Sequence, residues 1–286
     1  MIERIAILGT GLLGTSVGLA LRANGFSGEI VGWNRSADGA QTALAMGAID
    51  SIDADPLQAS RASQVILLAV PIYSTLDYME QLSGVLGPEH LVTDVGSTKA
   101  HITAAAGKLF NTPEHAGFLP GHPMAGKERG GAALGDAKLF RGAVWLFTDD
   151  PKWHRSPASA TLAENWRQCV ASMGSKTIDI DATRHDKLVA WVSHLPQFVA
   201  TALSALLEDE VGEAPELKDV GGRGLREMTR LGASPYSMWR DIALTNTDAV
   251  EAALFALEQR LAYIRENLRT PGLRDEFERA NHFRRE

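Results

Sequence analysis

Short runs of aliphatic and β-branched residues alternate with helical stretches over the first 180 positions, and beyond them the alternation stops. Apolar runs at residues 5–8, 30–33, 65–70, 91–95, 117–120, 143–148 and 176–180 have the length and composition of strands. Residues 13–23, 72–86 and 162–173, which lie between them, carry helical periodicity. Strands that alternate with helices predict an α/β fold, a parallel sheet with helices on its faces. From residue 184 the pattern is almost wholly helical: 184–210, a stretch around 225–231, a long run at 238–268 and an amphipathic tail at 273–284. The change of class near Asp181 divides the chain into residues 1–181 and 182–286.

The first strand runs straight into Gly9, Thr10, Gly11, Leu12, Leu13 and Gly14, a Gly-x-Gly-x-x-Gly loop that opens a helix. Gly9 permits the tight turn, Gly11 lets the backbone approach a pyrophosphate, and Gly14 allows the helix to pack closely on the strand. The helix begins at Leu12 and Leu13, where free N–H groups face a phosphate. The spacing by itself is common, and a glycine-rich turn without a ligand is the alternative. Its place as the first strand–turn–helix of an alternating domain points to a dinucleotide. The second strand ends in Asn34, Arg35 and Ser36. No carboxylate stands there to repel a 2′-phosphate, and Arg35 and Ser36 can bind one, so the expected cofactor is NADP or NAD with NADP favoured.

Ligands of doubly wound sheets sit outside the carboxyl ends of the strands. Val70 and Pro71 follow one strand, Ser97 lies in Gly96-Ser97-Thr98-Lys99 after another, and a third leads into Gly121-His122-Pro123-Met124-Ala125-Gly126-Lys127-Glu128. The helical part carries Ser193-His194-Leu195-Pro196, then Arg223, Arg226, Glu227 and Arg230, then Trp239. Pro196 removes an N–H and leaves a carbonyl near Val192 without its usual partner, which loosens the helix around His194. A buried histidine bonded to nearby backbone is the alternative there. Arg223, Arg226 and Arg230, three and four apart, would share one helical face, an arrangement that is commonly a solvated surface.

In this order the segments resemble the prephenate and arogenate dehydrogenases of tyrosine biosynthesis. The resemblance covers nearly the whole chain and is most specific at residues 121–128, 193–196 and 230–239. It implies a Rossmann-like doubly wound parallel sheet followed by an all-helical dimerisation domain, with the active site between them. The implied reaction is the NAD(P)-dependent oxidative decarboxylation of prephenate to 4-hydroxyphenylpyruvate, of arogenate to tyrosine, or of both. In that reaction hydride loss and loss of carbon dioxide make an aromatic ring, so the enzyme must mainly hold carboxylates, accept the hydroxyl proton and align the ring. A neutral imidazole can accept that proton, and the resemblance assigns the role to His122, with Ser97 nearby to orient it and His194 positioning substrate. It places Arg230 on the ring carboxylate, where a guanidinium binds two oxygens at once, and Arg226 and Glu227 near the site. Trp239 matches a residue contributed by the other subunit. Lys127 and Glu128 are candidates for the pyruvyl or alanyl side chain, although many family members carry a small hydroxyl residue where Lys127 stands.

A formal net charge of -7 at pH 7 lacks the basic surface that a nucleic-acid partner requires. The single cysteine, Cys169, excludes an intrachain disulfide framework and a cysteine-built zinc site, and no metal is expected. The N-terminus has no signal-peptide pattern, so the expected compartment is the cytoplasm. Residues 188–207 carry no formal charge and are long enough to span a bilayer, yet Ser193, His194, Pro196, Gln197, Thr201 and Ser204 interrupt them. A core or a subunit interface is expected instead, hence a homodimer and no membrane partner. Two other readings stand beside this one. A β-hydroxyacid dehydrogenase or imine reductase carries lysine or aspartate where this chain has His194 and does not call for the loop around His122. A non-catalytic dinucleotide-binding protein could keep the fold without the chemistry.

Overall fold

The computed structural model describes residues 1–285, with Lys218 described through its backbone only. The first part runs β1 (Arg4–Leu8), α1 (Leu12–Ala23), β2 (Glu29–Trp33), α2 (Ala37–Ala45), β3 (Ser51–Ile52), α3 (Pro56–Arg61), β4 (Val65–Leu68) and α4 (Ile72–Ser83). It continues with β5 (Leu91–Asp94), α5 (Ala100–Leu109), β6 (Gly117–Leu119), β7 (Gly121–Pro123), β8 (Val144–Phe147), α6 (Pro157–Ser172) and β9 (Lys176–Asp179). The second part is helical: α7 (Ala182–Val189), a π-helical turn (Ala190–His194), α8 (Leu195–Val211), α9 (Leu217–Val220), α10 (Arg223–Thr229), α11 (Tyr236–Thr245), α12 (Thr247–Glu266) and α13 (Gly272–Arg285).

Six strands pair in parallel in the order β3-β2-β1-β4-β5-β6. The order reverses between β1 and β4, and doubly wound sheets bind ligands outside the carboxyl ends of strands at such a point. The inner strands are apolar on both faces because both faces are covered. Ile5, Ile7, Val65 and Leu67 join one cluster with Val17 and Leu21 of α1, while Ala6, Leu8, Ile66 and Leu68 join another with Met79 and Leu82 of α4. Each fully buried aliphatic side chain of this kind stabilises the sheet by about 1.5–3 kcal/mol.

The strands expected at 143–148 and 176–180 do not belong to this sheet. With β7 they form a second, three-stranded one in the order β7-β8-β9, β7 antiparallel to β8 and β8 parallel to β9. The chain leaves the first sheet at Pro120, which has no N–H to continue the ladder of β6. Gly121 then donates its N–H to the Asp94 side chain, 3.1 Å away, and the strand that carries His122 starts there. Trp145 and Phe147 of β8 and Trp166 of α6 pack into the first cluster, so the second sheet closes one face of the first.

Two of the expected long helices are interrupted. In the 184–210 run the Leu195 N–H bonds the Ala190 carbonyl five residues back, giving the π turn just ahead of Pro196. The 238–268 run is two helices that meet at Asn246, whose φ of -135° and ψ of 32° are not helical.

Candidate active site

The glycine loop is shaped as a cradle. Gly9 has φ +103°, and a Cβ there would lie 2.3 Å from the Ala69 carbonyl oxygen. On Gly14 it would lie 2.1 Å from the Gly9 oxygen, whereas on Gly11 it would meet nothing within 4 Å. Gly9 and Gly14 thus hold the loop against the sheet, and Gly11 leaves room for a ligand backbone to approach. No side chain caps the N-terminus of α1, so the N–H groups of its first turn, from buried Leu12 and half-buried Leu13 onward, are available to an anion. Val70 is half-buried beside Gly9, and Pro71 is exposed at the start of α4.

At the end of β2 the Asn34 amide donates to the Ser36 carbonyl at 3.1 Å. The Ser36 hydroxyl accepts the Gly39 N–H and caps α2, which leaves its own proton free to donate. Arg35 is exposed at this rim. The residues present therefore suit a dinucleotide.

β7 brings His122 to a buried position, 7% exposed. Its Nδ1 is 2.8 Å from Nε2 of His185, whose Nδ1 is 2.8 Å from Oδ1 of Asp186. Asp186 also accepts the N–H groups of Lys99 at 2.7 Å and Ala100 at 2.8 Å, at the start of α5. Asp94, at the end of β5, accepts N–H groups from Gly96 at 2.7 Å and Gly121 at 3.1 Å and pairs with the fully buried Lys99 ammonium. Ser97 is half-buried in the same loop, and among the described residues it has no hydrogen bond to His122.

Burial, reinforced by the nearby His185, Lys99 and His194, pushes the His122 pKa well below its ordinary value, so the ring is neutral at pH 7. Burial alone would raise Asp186, but hydrogen bonds from His185, Ala100 and Lys99 outweigh it and keep the carboxyl below its usual range. His194 ends the π turn, and burial lowers its pKa to about 4. Its Nδ1 lies 3.3 Å from the Asn246 amide, which also donates to the Asp186 carbonyl at 2.8 Å. The Trp239 ring meets His194 and Phe198 edge-on at 5.8 and 5.9 Å between centroids, so it lies on residues of its own chain.

α10 ends at Thr229, and Arg230 starts a 3₁₀ turn, so the three arginines do not share one regular helical face. Arg230 pairs with Glu128, and with Lys127, Arg129, Leu134 and Ala233 these residues line a cavity of about 330 Å³. Lys127 is held within its own loop by the Leu134 carbonyl at 2.8 Å and by Asp136 at 3.9 Å. Arg226 and Glu227 are exposed on α10.

The sequence reading did not single out His185, Asp186, Asp94, Lys99 or Asn246. Two local signals were present: an adjacent His-Asp pair in the second turn of a helix capped by Asp181, and Asn246 followed by Thr247 and Asp248, a helix-start pattern within the long apolar run.

Family models match most of the chain: prephenate dehydrogenase, nucleotide-binding domain, over residues 17–174, and prephenate dehydrogenase, dimerization domain, over residues 181–282. The chain belongs to the prephenate dehydrogenase family. A prephenate dehydrogenase of Lactococcus lactis is 31% identical over 247 residues, which are 86% of this chain and 66% of the relative. The chain thus spans just under two thirds of that relative's length. The crystal structure of the Aquifex aeolicus prephenate dehydrogenase with hydroxyphenyl propionate and NAD+ has a TM-score of 0.84 at 25% identity, covering 100% of this chain and 96% of that one. Synechocystis arogenate dehydrogenase has a TM-score of 0.76 at 26% identity, covering 98% of each chain. The prephenate dehydrogenase models divide the site: His122 and Lys99 fall in the nucleotide-binding domain, and His185, His194 and Arg230 in the dimerization domain.

Proposed function

We propose that the protein oxidises and decarboxylates a cyclohexadienol of the prephenate or arogenate type with a nicotinamide dinucleotide. The observation that carries this reading is His122, buried, neutral and held by His185, at the carboxyl end of a sheet whose glycine loop is shaped for a dinucleotide. The nicotinamide supplies the hydride acceptor when it is bound. His122 accepts the proton of the ring hydroxyl at Nε2, and aromatisation of the ring drives the reaction. Arg230 holds the ring carboxylate with two N–H groups, exchanging Glu128 for the substrate. His194 and Trp239 position the ring, and Lys127, Glu128, Arg226 and Glu227 lie toward its side chain. Ser97 stands by the hydroxyl.

The cofactor is NADP in preference to NAD, since Arg35 is exposed beside the free hydroxyl proton of Ser36 and Asn34 carries no charge to repel a phosphate. The working form is a cytoplasmic homodimer. Leu188, Trp191 and Val192 are 47%, 50% and 57% exposed on the helical run Ala182–Val211, which is long and apolar enough to cross a membrane and whose apolar 18-residue window is 28% buried. A second copy is the occupant assigned to this face, because the run also carries Arg184, Asp186 and Lys187.

A steady-state assay with prephenate and with arogenate, each against NAD and NADP, tests the reading. Turnover of at least one substrate is expected, and none with any pair would overturn it.

A further inference from the structure

We infer that His185 and Asp186 act together as a positioning relay that fixes the tautomer of His122 and steadies the proton it receives. The inference rests on the reading of His122 as the proton acceptor and adds two residues to it.

The hydrogen bonds run outward from Asp186. An ionised carboxylate only accepts hydrogen bonds, and Asp186, held below the usual carboxylate range, takes two N–H groups at the start of α5, where the helix dipole also favours negative charge. The His185 Nδ1 at 2.8 Å from it must therefore be the N–H that donates. His185 is fully buried, and burial disfavours its charged form, so its other nitrogen, Nε2, is a lone pair. That lone pair is 2.8 Å from Nδ1 of His122, which must then carry the hydrogen. The lone pair of His122 is left on Nε2. A neutral imidazole free in water favours the opposite tautomer, with the hydrogen on Nε2, and in that form His122 would present an N–H donor, not a lone pair, to the hydroxyl.

The same chain acts after the transfer. The O–H bond of the substrate breaks and an N–H bond forms at Nε2, which leaves an imidazolium in a site that also faces the Lys99 ammonium. His122 then donates Nδ1–H to His185 more strongly, and the negative charge of Asp186, felt through the intervening ring, offsets the positive charge of Lys99. His185 neither gains nor loses a proton, as in the orienting arm of a hydrolase triad.

The test uses the full chain and two substitutions. In ¹⁵N-histidine NMR of the ligand-free protein, with the His122 signals assigned by their loss in His122→Asn, His122 is expected as the Nδ1–H tautomer. His185→Phe keeps the ring volume but removes the acceptor, and there His122 should change to Nε2–H. His185→Gln, whose amide oxygen can still accept, should restore Nδ1–H. In turnover, His185→Phe should lose kcat by about ten- to a hundredfold, with substrate KM and cofactor Kd within about twofold, and His185→Gln should recover part of it. An Nε2–H tautomer in the unsubstituted protein would overturn the relay, as would an unchanged kcat in His185→Phe. If His185→Phe does not fold, the tautomer of the unsubstituted protein decides. A protein that turns over neither substrate would sink the functional reading instead, and the tautomer would still be measured.

Discussion

Acid should weaken this fold through His194, and replacing that histidine should remove the effect. Burial lowers its pKa from 6.5 to about 4, so between those values the unfolded chain binds a proton that the folded chain does not. The stability contributed by the neutral ring is therefore complete above the unfolded value and is lost as the pH falls toward the folded one. At pH 5 the ratio (1 + 10^1.5)/(1 + 10^-1) is about 30, which corresponds to about 2 kcal/mol. At pH 7.5 the same ratio is close to one. His194→Asn has nothing to titrate and keeps an acceptor near the Asn246 amide, 3.3 Å from Nδ1 in this structure. Whatever cavity the smaller side chain leaves costs the same at both pH values and cancels. Urea unfolding of the two proteins at pH 7.5 and pH 5 measures the difference: the unsubstituted protein should lose about 2 kcal/mol more than the variant. Parallel losses would show that His194 titrates normally and that its burial does not govern its charge.

Other substitutions separate the roles assigned above. His122→Asn should fold and bind cofactor normally while losing turnover by about two to four orders of magnitude, and near-normal turnover would remove it from the mechanism. Arg230→Ala should raise the substrate KM and leave the cofactor KM unchanged, with lysine restoring only part because a point charge cannot reproduce the guanidinium fork; an unchanged substrate KM counts against the contact. Arg35→Ala should erode a preference for NADP that a charge-assisted contact sets at about ten- to a hundredfold, and a kcat/KM ratio that does not move would make Arg35 a surface charge only. Sedimentation should show a dimer, and a folded, active monomer at low concentration would refute that assembly.

The parallel sheet was legible because burial on both faces imposes continuous apolar runs, and Ile5 to Leu8 and Val65 to Leu68 are such runs. The second sheet was not. Its strands have the same composition as those of the first, and what separates them is a single proline at 120 and a side-chain hydrogen bond from Gly121 to Asp94. Similarly, Pro196 announced an irregular helix, but its form, a π turn that brings His194 to the Asn246 amide, depends on a helix break 52 residues away. Motif context singled out His122, His194 and Arg230 because each sits in a short distinctive run. The partners that set their chemistry lie far along the chain: His185 is 63 residues from His122, and Asp186 is 87 from Lys99.

Asp186 accepts from two backbone N–H groups of α5 and from His185, and Asn246 holds its carbonyl, so one residue ties the start of α5 to α7 and to the α11–α12 break. Removing its carboxylate would leave buried donors unpaired, each costing about 1–3 kcal/mol, on elements that both domains share. Loss of activity in such a variant would mix unfolding with lost chemistry. His185 hydrogen-bonds the network through its two ring nitrogens, one toward Asp186 and one toward His122. A substitution there interrupts the path to His122 while the carboxylate keeps both its helix N–H groups. A fall in kcat larger than the accompanying fall in stability explains at position 185, beside a large fall in both at position 186, is the pattern a relay requires. A purely structural histidine would lower stability first.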